Sequence, residues 1–364
     1  MALALALVLI VVAALVFHYV SPWWLTPIAS NWQAMDDALM LTLVFTGVAF
    51  VVIHLFVAYA VVRFRHREGQ RASAEHGNKK LEWWLIGGTT LGIIALLAPG
   101  LSVYAKLIDP PKDALIFEVM GQQWNWHYRL PGKDGKLGRT EVRFMTAANP
   151  FGINPEDPNG QDDLLVDGQE IHLPLNKPVK ALLRAQDVLH DFYVPQFRTR
   201  MNMVPGIVTT FWFTPTQAGK FEVLCAQLCG MGHSNMRSQV VVEDEAAWQA
   251  WLTKQPTFGG GTPAGVGGPA EPGKMGRLLA QSKGCVACHS VDGTQSVGPG
   301  WKGLFGKTET LEGGKTVAVD EAYLKEAIAT PQASLVKGFP PVMPPTQLSD
   351  AELAALIDYI KTIR

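Results

Sequence analysis

Hydrophobic and polar positions follow one pattern up to about residue 105 and another beyond residue 112. The stretches 2–17 (ALALALVLIVVAALVF), 38–62 (ALMLTLVFTGVAFVVIHLFVAYAVV) and 83–105 (WWLIGGTTLGIIALLAPGLSVYA) contain no charged residue. A helix crosses ~30 Å of hydrocarbon with about 20 apolar residues at ~1.5 Å each. The second and third stretches meet that length, and the first meets it when extended to Val20. The pattern therefore predicts a membrane anchor over residues 1–106, with transmembrane helices at about 2–20, 38–62 and 83–105.

Beyond residue 112 the hydrophobic period shortens to two. ALIFEVMGQQWNWHYRL, EVRFM, KALLRA, GIVTTFWFTP, KFEVLC and RSQVVVED alternate, with Gly, Pro, Asn and Asp between the runs. Short alternating runs at this spacing predict an all-β sandwich or barrel over 112–255, closed by a helical tail, EDEAAWQAWLTK. The segment 256–273 (PTFGGGTPAGVGGPAEPG) has the composition of a linker. Residues 274–364 form a third unit ending in LSDAELAALIDYIKTIR. There Ser349 and Glu352 have capping-box spacing, and Leu353, Leu356, Ile357 and Ile360 recur with a helical period.

Charge adds orientation. The loop 63–80 carries Arg63, Arg65, Arg67, Arg71, Lys79 and Lys80, whereas 21–37 carries no base and ends in Asp36 and Asp37. The excess of basic residues places loop 63–80 in the cytoplasm and everything after about residue 106 outside. Trp23, Trp24, Trp83 and Trp84 suit interfacial anchors, or ordinary packing. The first apolar stretch has the length of a signal peptide too. It has no basic leading segment and no clean A-x-A site follows it, so it reads as a retained helix. The net charge of −1 gives no bulk attraction to nucleic acid.

The chain has 4 cysteines, in two pairs. CVACH (285–289) has the pattern of covalent haem attachment, through Cys285 and Cys288, with His289 as axial ligand. Zinc would need two further ligands, and no second cysteine or histidine pair lies nearby. Met343, in GFPPVMPPTQLSD, is the better candidate for the opposite ligand, and Met275, upstream of the motif, the poorer. A thioether opposite an imidazole raises the haem potential and closes the iron, which suits electron transfer.

The other pair lies in CAQLCGMGHSNM (225–236). A disulfide or a zinc site would account for Cys225 and Cys229, but neither explains the adjacent methionines. Thiolate, thioether and imidazole together favour copper. A mononuclear blue-copper centre uses one cysteine, so two of them four residues apart suggest two metal ions bridged by both sulfurs. His190, in DVLHDFYVP after the KALLRA strand, is the candidate for a second histidine; a surface turn is the alternative.

These motifs carry two resemblances. Residues 274–364, with CVACH, GPGWKGLFG and VMPPTQLSD in order, resemble a class I cytochrome c domain. That resemblance implies that the Pro299 carbonyl accepts a hydrogen bond from the His289 ring. Residues 38–255, with C-x-x-x-C-x-x-x-H-x-x-M and GQQWNWHY, resemble subunit II of haem–copper cytochrome c oxidase with its binuclear CuA site. The family roles imply that Cys225 and Cys229 bridge both coppers and that His190 and His233 bind one each. Met236 and the backbone carbonyl of Gln227 are then weak axial ligands, and Trp124 stands where electrons are received. The fused cytochrome makes the whole similar to subunit II of a caa-type oxidase. The expected fold is multidomain: N-terminal transmembrane helices, an all-β cupredoxin-like CuA domain and an all-α class I cytochrome c domain.

Two departures bear on magnesium. Gln227 stands between the cysteines where the family has Glu, and Asn202, in RMNMVPG, stands where it has Asp. Both losses weaken the expected site for a hard cation at the subunit I interface. The first apolar helix is also additional to the usual hairpin. Glu82, in GNKKLEWW, matches the family acid near a proton-channel mouth, or else offsets Lys79 and Lys80 at the membrane edge.

The implied function is electron input to a terminal respiratory oxidase. Subunit I (haem a and copper B) and subunit III are the implied partners, and a quinol-oxidising complex or soluble cytochrome c the donor. The implied location is a bacterial cell membrane, with both redox domains on the outer face. A free-standing membrane electron carrier and a CuA-bearing nitric oxide reductase subunit are the rivals. This chain alone lacks the histidines for an oxygen-reducing site.

Overall fold

The computed structural model describes residues 1–364 except 22–25, 70–76, 147, 168–169, 261–272 and 347. Trp23, Trp24, Arg71 and most of the predicted linker lie outside the described residues. The chain divides into two compact units, Met1–Ile28 with Trp32–Asp109, and Ala29–Asn31 with Pro110–Arg364.

The first unit is three helices, α1 (Ala2–Val20), α2 (Gln33–Arg63) and α3 (Lys79–Leu107). α1 packs along α2, and α2 along α3. Their apolar side chains point outward, among them Leu3, Leu9, Phe56, Trp83, Trp84 and Ile93. Helices that are apolar on every side and uncovered by protein are suited to lipid. All three are long and apolar enough to cross a membrane. α2 and α3 extend past their uncharged stretches at both ends, because a helix continues into the interface once its apolar centre is fixed. Asn78 caps α3, its Oδ1 accepting from the Leu81 N–H at 3.1 Å. Glu82 lies exposed in the first turn.

In the second unit, ten strands form two five-stranded sheets. The strands are β1 (Leu115–Gln122), β2 (Asn125–Leu130), β3 (Leu164–Asp167), β4 (Glu170–Pro174), β5 (Val179–Ala185), β6 (His190–Tyr193), β7 (Arg200–Met203), β8 (Thr209–Phe213), β9 (Gly219–Cys225) and β10 (Arg237–Glu243). One sheet runs β3-β2-β1-β5-β8 and the other β4-β10-β9-β6-β7. β1 pairs parallel with β5, and β4 parallel with β10; parallel neighbours need crossovers between the sheets. Phe192 of β6 meets Phe117 of β1 at 6.2 Å and Trp126 of β2 at 5.6 Å, both edge-on. Alternate residues of β5 are buried, as the period-two pattern requires.

Three local departures from the sequence pattern have physical causes. The run ALIFEVMGQQWNWHYRL is a hairpin, with Gln123 and Trp124 at its tip. EVRFM alternates but is not a strand: Val142–Phe144 form a single 3-10 turn, and Val142 is exposed. The Glu141 N–H is taken by the Gly152 carbonyl at 2.7 Å, so the segment closes on its own loop rather than on a sheet edge. At the far end, pairing persists past residue 255. Thr257 bridges Leu164, and the Phe258 N–H donates to the Asp163 carbonyl at 2.9 Å.

Ala29–Asn31, between α1 and α2, also belong to this unit. Ser30 bridges Pro215, and Asn31 Oδ1 accepts from the Thr214 N–H at 2.6 Å.

A buried charge network ties the first sheet to the loop that precedes β3. Arg129 meets Glu118 Oε2 at 2.6 Å and Asp163 Oδ2 at 3.0 Å, and Arg184 meets Glu118 Oε1 at 3.3 Å. Burial pushes Asp163 up to about 7 despite Arg129. Such a network tolerates the loss of one member poorly, because the remaining charges are stranded away from water.

The tail helix α4 (Glu245–Leu252) is capped by Asp244, which accepts from Ala247 N–H. The last domain contains α5 (Lys274–Ser282), α6 (Glu321–Ala329), α7 (Asp350–Thr362) and the two-stranded ribbon β11 (Thr308–Thr310) and β12 (Thr316–Ala318). α5 crosses α7 closely: a Cβ on Gly276 would overlap the Ala355 carbonyl. The buried residues Leu353, Leu356, Ile357 and Ile360 of α7 are the ones its period singled out, and both bonds of the Ser349–Glu352 capping box form.

Candidate metal centres

β6 and β9 bring the first set of donors together. Phe192 pairs with Cys225 across these strands, which places His190, at the start of β6, beside the end of β9. His190 is therefore a fully buried strand residue rather than a turn residue. The loop after β9 then folds back over it through Gly230, at φ +117°, and Gly232. Both glycines lie against the Trp124 ring, where a Cβ on Gly232 would overlap the indole.

The result is a ring-like cluster of donors around the two sulfurs. His190 Nδ1 lies 3.9 Å from Cys225 Sγ, and Cys225 Sγ lies 3.7 Å from Cys229 Sγ. Cys229 Sγ is 3.5 Å from His233 Nδ1 and 3.9 Å from Met236 Sδ. The Gln227 carbonyl lies 3.2 Å from Cys225 Sγ. Both thiols are free. His190, Cys225 and Cys229 are buried with their donor atoms mutually within 4.8 Å.

The hydrogen bonds fix how these groups can ligate. His190 Nε2 donates to Asp187 Oδ1 at 2.8 Å, which leaves the Nδ1 lone pair facing the sulfurs. Burial alone would lower His190, but Asp187 and Cys225 outweigh it and the net direction is upward. Asp187 is held low against its own burial by His190 and by the Gln123 and Val188 N–H groups. The contact between the two sulfurs holds Cys225 well below an ordinary thiol and, with burial, pushes Cys229 up. Two buried sulfurs, a buried and a half-buried imidazole and a buried thioether together fit a soft transition metal.

Trp124 touches this ring from outside. Its Nε1–H donates to the Cys229 carbonyl at 3.1 Å, and Gln123 Nε2 donates to the same oxygen at 2.8 Å. Asn202 is exposed on β7, opposite Asp191, whose carboxylate meets Arg200 at 3.2 Å.

The second set surrounds a cavity in the last domain with about 1340 Å³ of free space, part of it open to solvent. Cys285, Cys288, His289 and Met343 all line it, among the apolar side chains of Trp301, Leu324, Ile328, Leu335 and Leu356. His289 Nδ1–H donates to the Pro299 carbonyl at 2.7 Å, leaving Nε2 as the free donor atom of the ring. Trp301 stacks on His289 at 5.2 Å, and a Cβ on Gly298 would come within 2.7 Å of its ring. A large apolar slot flanked by free thiols, an oriented imidazole and a thioether fits a covalently held haem. Met275, on α5, is not among the cavity-lining residues.

Two residues at these sites escape a reading of the sequence. Asp187 carries a faint signal, an acid three residues before His190. Asn235 carries none. Its amide donates to the Ala287 carbonyl, inside the C-x-x-C-H segment of the other domain.

The architecture and donor sets define a class: a membrane-anchored cupredoxin-type domain followed by a c-type cytochrome domain. Comparison with known proteins agrees on both halves. Residues 115–244 match the family model "Cytochrome C oxidase subunit II, periplasmic domain", and residues 274–364 match "Cytochrome c". The chain is 54% identical over 260 residues to "Alternative cytochrome c oxidase subunit 2" of Bradyrhizobium diazoefficiens, covering 71% of this chain and 94% of that protein. It thus belongs to the cytochrome c oxidase subunit II family, with a C-terminal cytochrome c domain fused to it. "Cytochrome c oxidase subunit 2" of Alkalihalophilus pseudofirmus is 24% identical over 352 residues, 93% of this chain and 90% of that one. Among solved structures, the periplasmic domain of subunit II of cytochrome oxidase (CoxB) of Bradyrhizobium japonicum is similar. It has 25% identity and a TM-score of 0.30, covering 40% of this chain and 95% of that one.

Proposed function

We propose that the chain is the electron-input subunit of a caa-type terminal respiratory oxidase. Electrons would arrive at a covalent haem c in residues 274–364 and leave through a binuclear copper site toward subunit I, where dioxygen is reduced to water with proton translocation. The observation that carries this reading is the ring His190–Cys225–Cys229–His233–Met236 on the same polypeptide as the cavity lined by Cys285, Cys288, His289 and Met343.

When loaded, the two centres supply reversible one-electron chemistry. The chain's own residues prepare them for it. Cys225, Cys229, His190 and His233 would hold the copper pair, with Met236 and the Gln227 carbonyl as weaker ligands. Asp187 orients His190 and keeps its Nδ1 free. Burial of both thiols excludes water and limits reorganisation on electron transfer. Cys285 and Cys288 would anchor the haem, and His289 and Met343 would be its iron ligands. Pro299 fixes the imidazole and raises its basicity. Trp124, hydrogen-bonded to a ligand residue's carbonyl, is suited to receive electrons.

The partners of this reading are subunit I, with haem a and copper B, and subunit III. The donor is a quinol-oxidising complex or a soluble cytochrome c. The location is a bacterial cell membrane with both redox domains on the outer face. With Gln227 and Asn202 in place of two acids, this chain lacks two carboxylates that a magnesium ion at the subunit interface would use. Glu82, exposed at the start of α3, is the acid of this reading at a proton-channel mouth.

The test is purification from native membranes through a tag on this chain. The reading predicts a co-purifying multi-span partner that contains haem a and oxygen uptake sustained by reduced cytochrome c. A partner containing only haem b and reducing nitric oxide, or the absence of any partner, would contradict it.

A further inference from the structure

The copper-binding and cytochrome domains touch, and the contact is built at one spot. Trp124 and Met231, from the copper-binding domain, line the same cavity as Cys285, Cys288, His289 and Met343. Immediately beside Cys285, the backbone of Gly284 lies on the backbone of Gln123 and Trp124. A Cβ on Gly284 would overlap the Gln123 carbonyl oxygen and sit 2.7 Å from the Trp124 nitrogen. On the other side of the cysteine pair, the Asn235 amide donates to the Ala287 carbonyl. The contact therefore brackets the C-x-x-C segment, where the haem would be anchored.

We propose that the copper-binding domain carries a docking face for its own tethered cytochrome, in which Trp124 and Met231 close the mouth of the haem crevice and Asn235 and Gly284 set the register. The proposal rests on the electron-input reading and adds to it a named surface and two positioning residues that belong to neither donor set. Their arrangement has a chemical consequence. The indole that faces the crevice donates at 3.1 Å to the carbonyl of Cys229, so the crevice and the sulfur ring share one side chain. Tethering supplies the encounter at high effective concentration, but only a specific contact selects this edge of the cytochrome over its other surfaces. Asn235 and Gly284 provide that selection by a hydrogen bond and by close approach. Gly284 is suited to it twice: its φ of +70° favours Gly or Asn, and its missing side chain leaves room for the Trp124 backbone.

Two variants of the full-length, loaded chain test this from opposite sides. Asn235→Glu removes the donor and sets a carboxylate against the Ala287 carbonyl. Gly284→Asn keeps the backbone conformation but adds a Cβ where the Gln123 carbonyl stands, and it lies in the domain without copper. Two readouts apply. One is the rate of electron transfer from photoreduced haem c to copper, and the other is hydroxyl-radical labelling of Trp124. Both variants should slow transfer about ten-fold or more and raise Trp124 labelling, with haem c bands and copper paramagnetic resonance unchanged. Normal rates and labelling in both variants would overturn the docking face while leaving the electron-input reading intact. A defect in Asn235→Glu alone would also overturn it, since that pattern marks damage beside Met236. If the unmodified chain shows no paired-copper signal or no haem c, the underlying reading falls, and the proposal with it.

Discussion

Replacing Cys229 by serine should abolish the paired copper centre while leaving the rest of the chain assembled. Cys229 is buried and stands at the junction of the donor ring, within 4 Å of the sulfurs of Cys225 and Met236 and of His233 Nδ1. A hydroxyl is a hard, neutral donor and cannot bridge two soft metal ions. Copper should fall from about two ions per chain to about one or fewer, because His190 and Cys225 can still hold a single ion. The paramagnetic resonance signal of an electron shared between two coppers should vanish. Haem content serves as the internal control, since Cys285 and Cys288 lie in a separate domain with its own core. Elemental analysis and resonance spectra of the variant check this. Retention of both coppers would remove Cys229 from the ligand set.

The second large effect belongs to Met343. Its replacement by alanine should leave the haem covalently attached through Cys285 and Cys288 but without its thioether ligand. Two consequences follow from the loss of a sulfur ligand opposite imidazole: a lower potential and an iron open to small ligands. Carbon monoxide should bind the reduced variant and not the unmodified chain, and the absorption spectrum should change to that of a five-coordinate haem. The variant should also take electrons from its donor poorly, because the lower potential makes that step less favourable. A haem whose spectrum is indifferent to this substitution would assign the sixth ligand elsewhere.

Much of this organisation was legible in the sequence because it rests on local signals. Uncharged apolar stretches of membrane length specify α1, α2 and α3, and period-two alternation specifies most strands. Cysteine, histidine and methionine spacings marked both donor sets, since ligands from one loop must be close in sequence. What local pattern cannot carry is contact between distant segments. Arg129 meets Glu118 and Asp163 only because three segments meet in one corner of the fold, and nothing in the order of residues announces it. The hydrogen bonds of Ala29–Asn31 to the β-domain, the orientation of His190 by Asp187 and the reach of Asn235 to Ala287 are of the same kind. EVRFM shows the converse limit: its alternation is strand-like, but its hydrogen bonds are claimed by the neighbouring loop.

The location of His190 illustrates how tertiary structure completes a partial reading. The sequence singled it out as a histidine near the end of a strand. The pairing of β6 with β9 buries it beside Cys225, and Asp187 then leaves one ring nitrogen facing the sulfurs. The fold thus converts an accessible imidazole into an oriented donor.

The central claim is that one polypeptide holds both a sulfur-bridged copper pair and a covalent haem. Its most direct measurement is the copper-to-iron ratio of the fully loaded, purified chain free of partner subunits. The account predicts about two coppers for each iron. A ratio of one or below would contradict it.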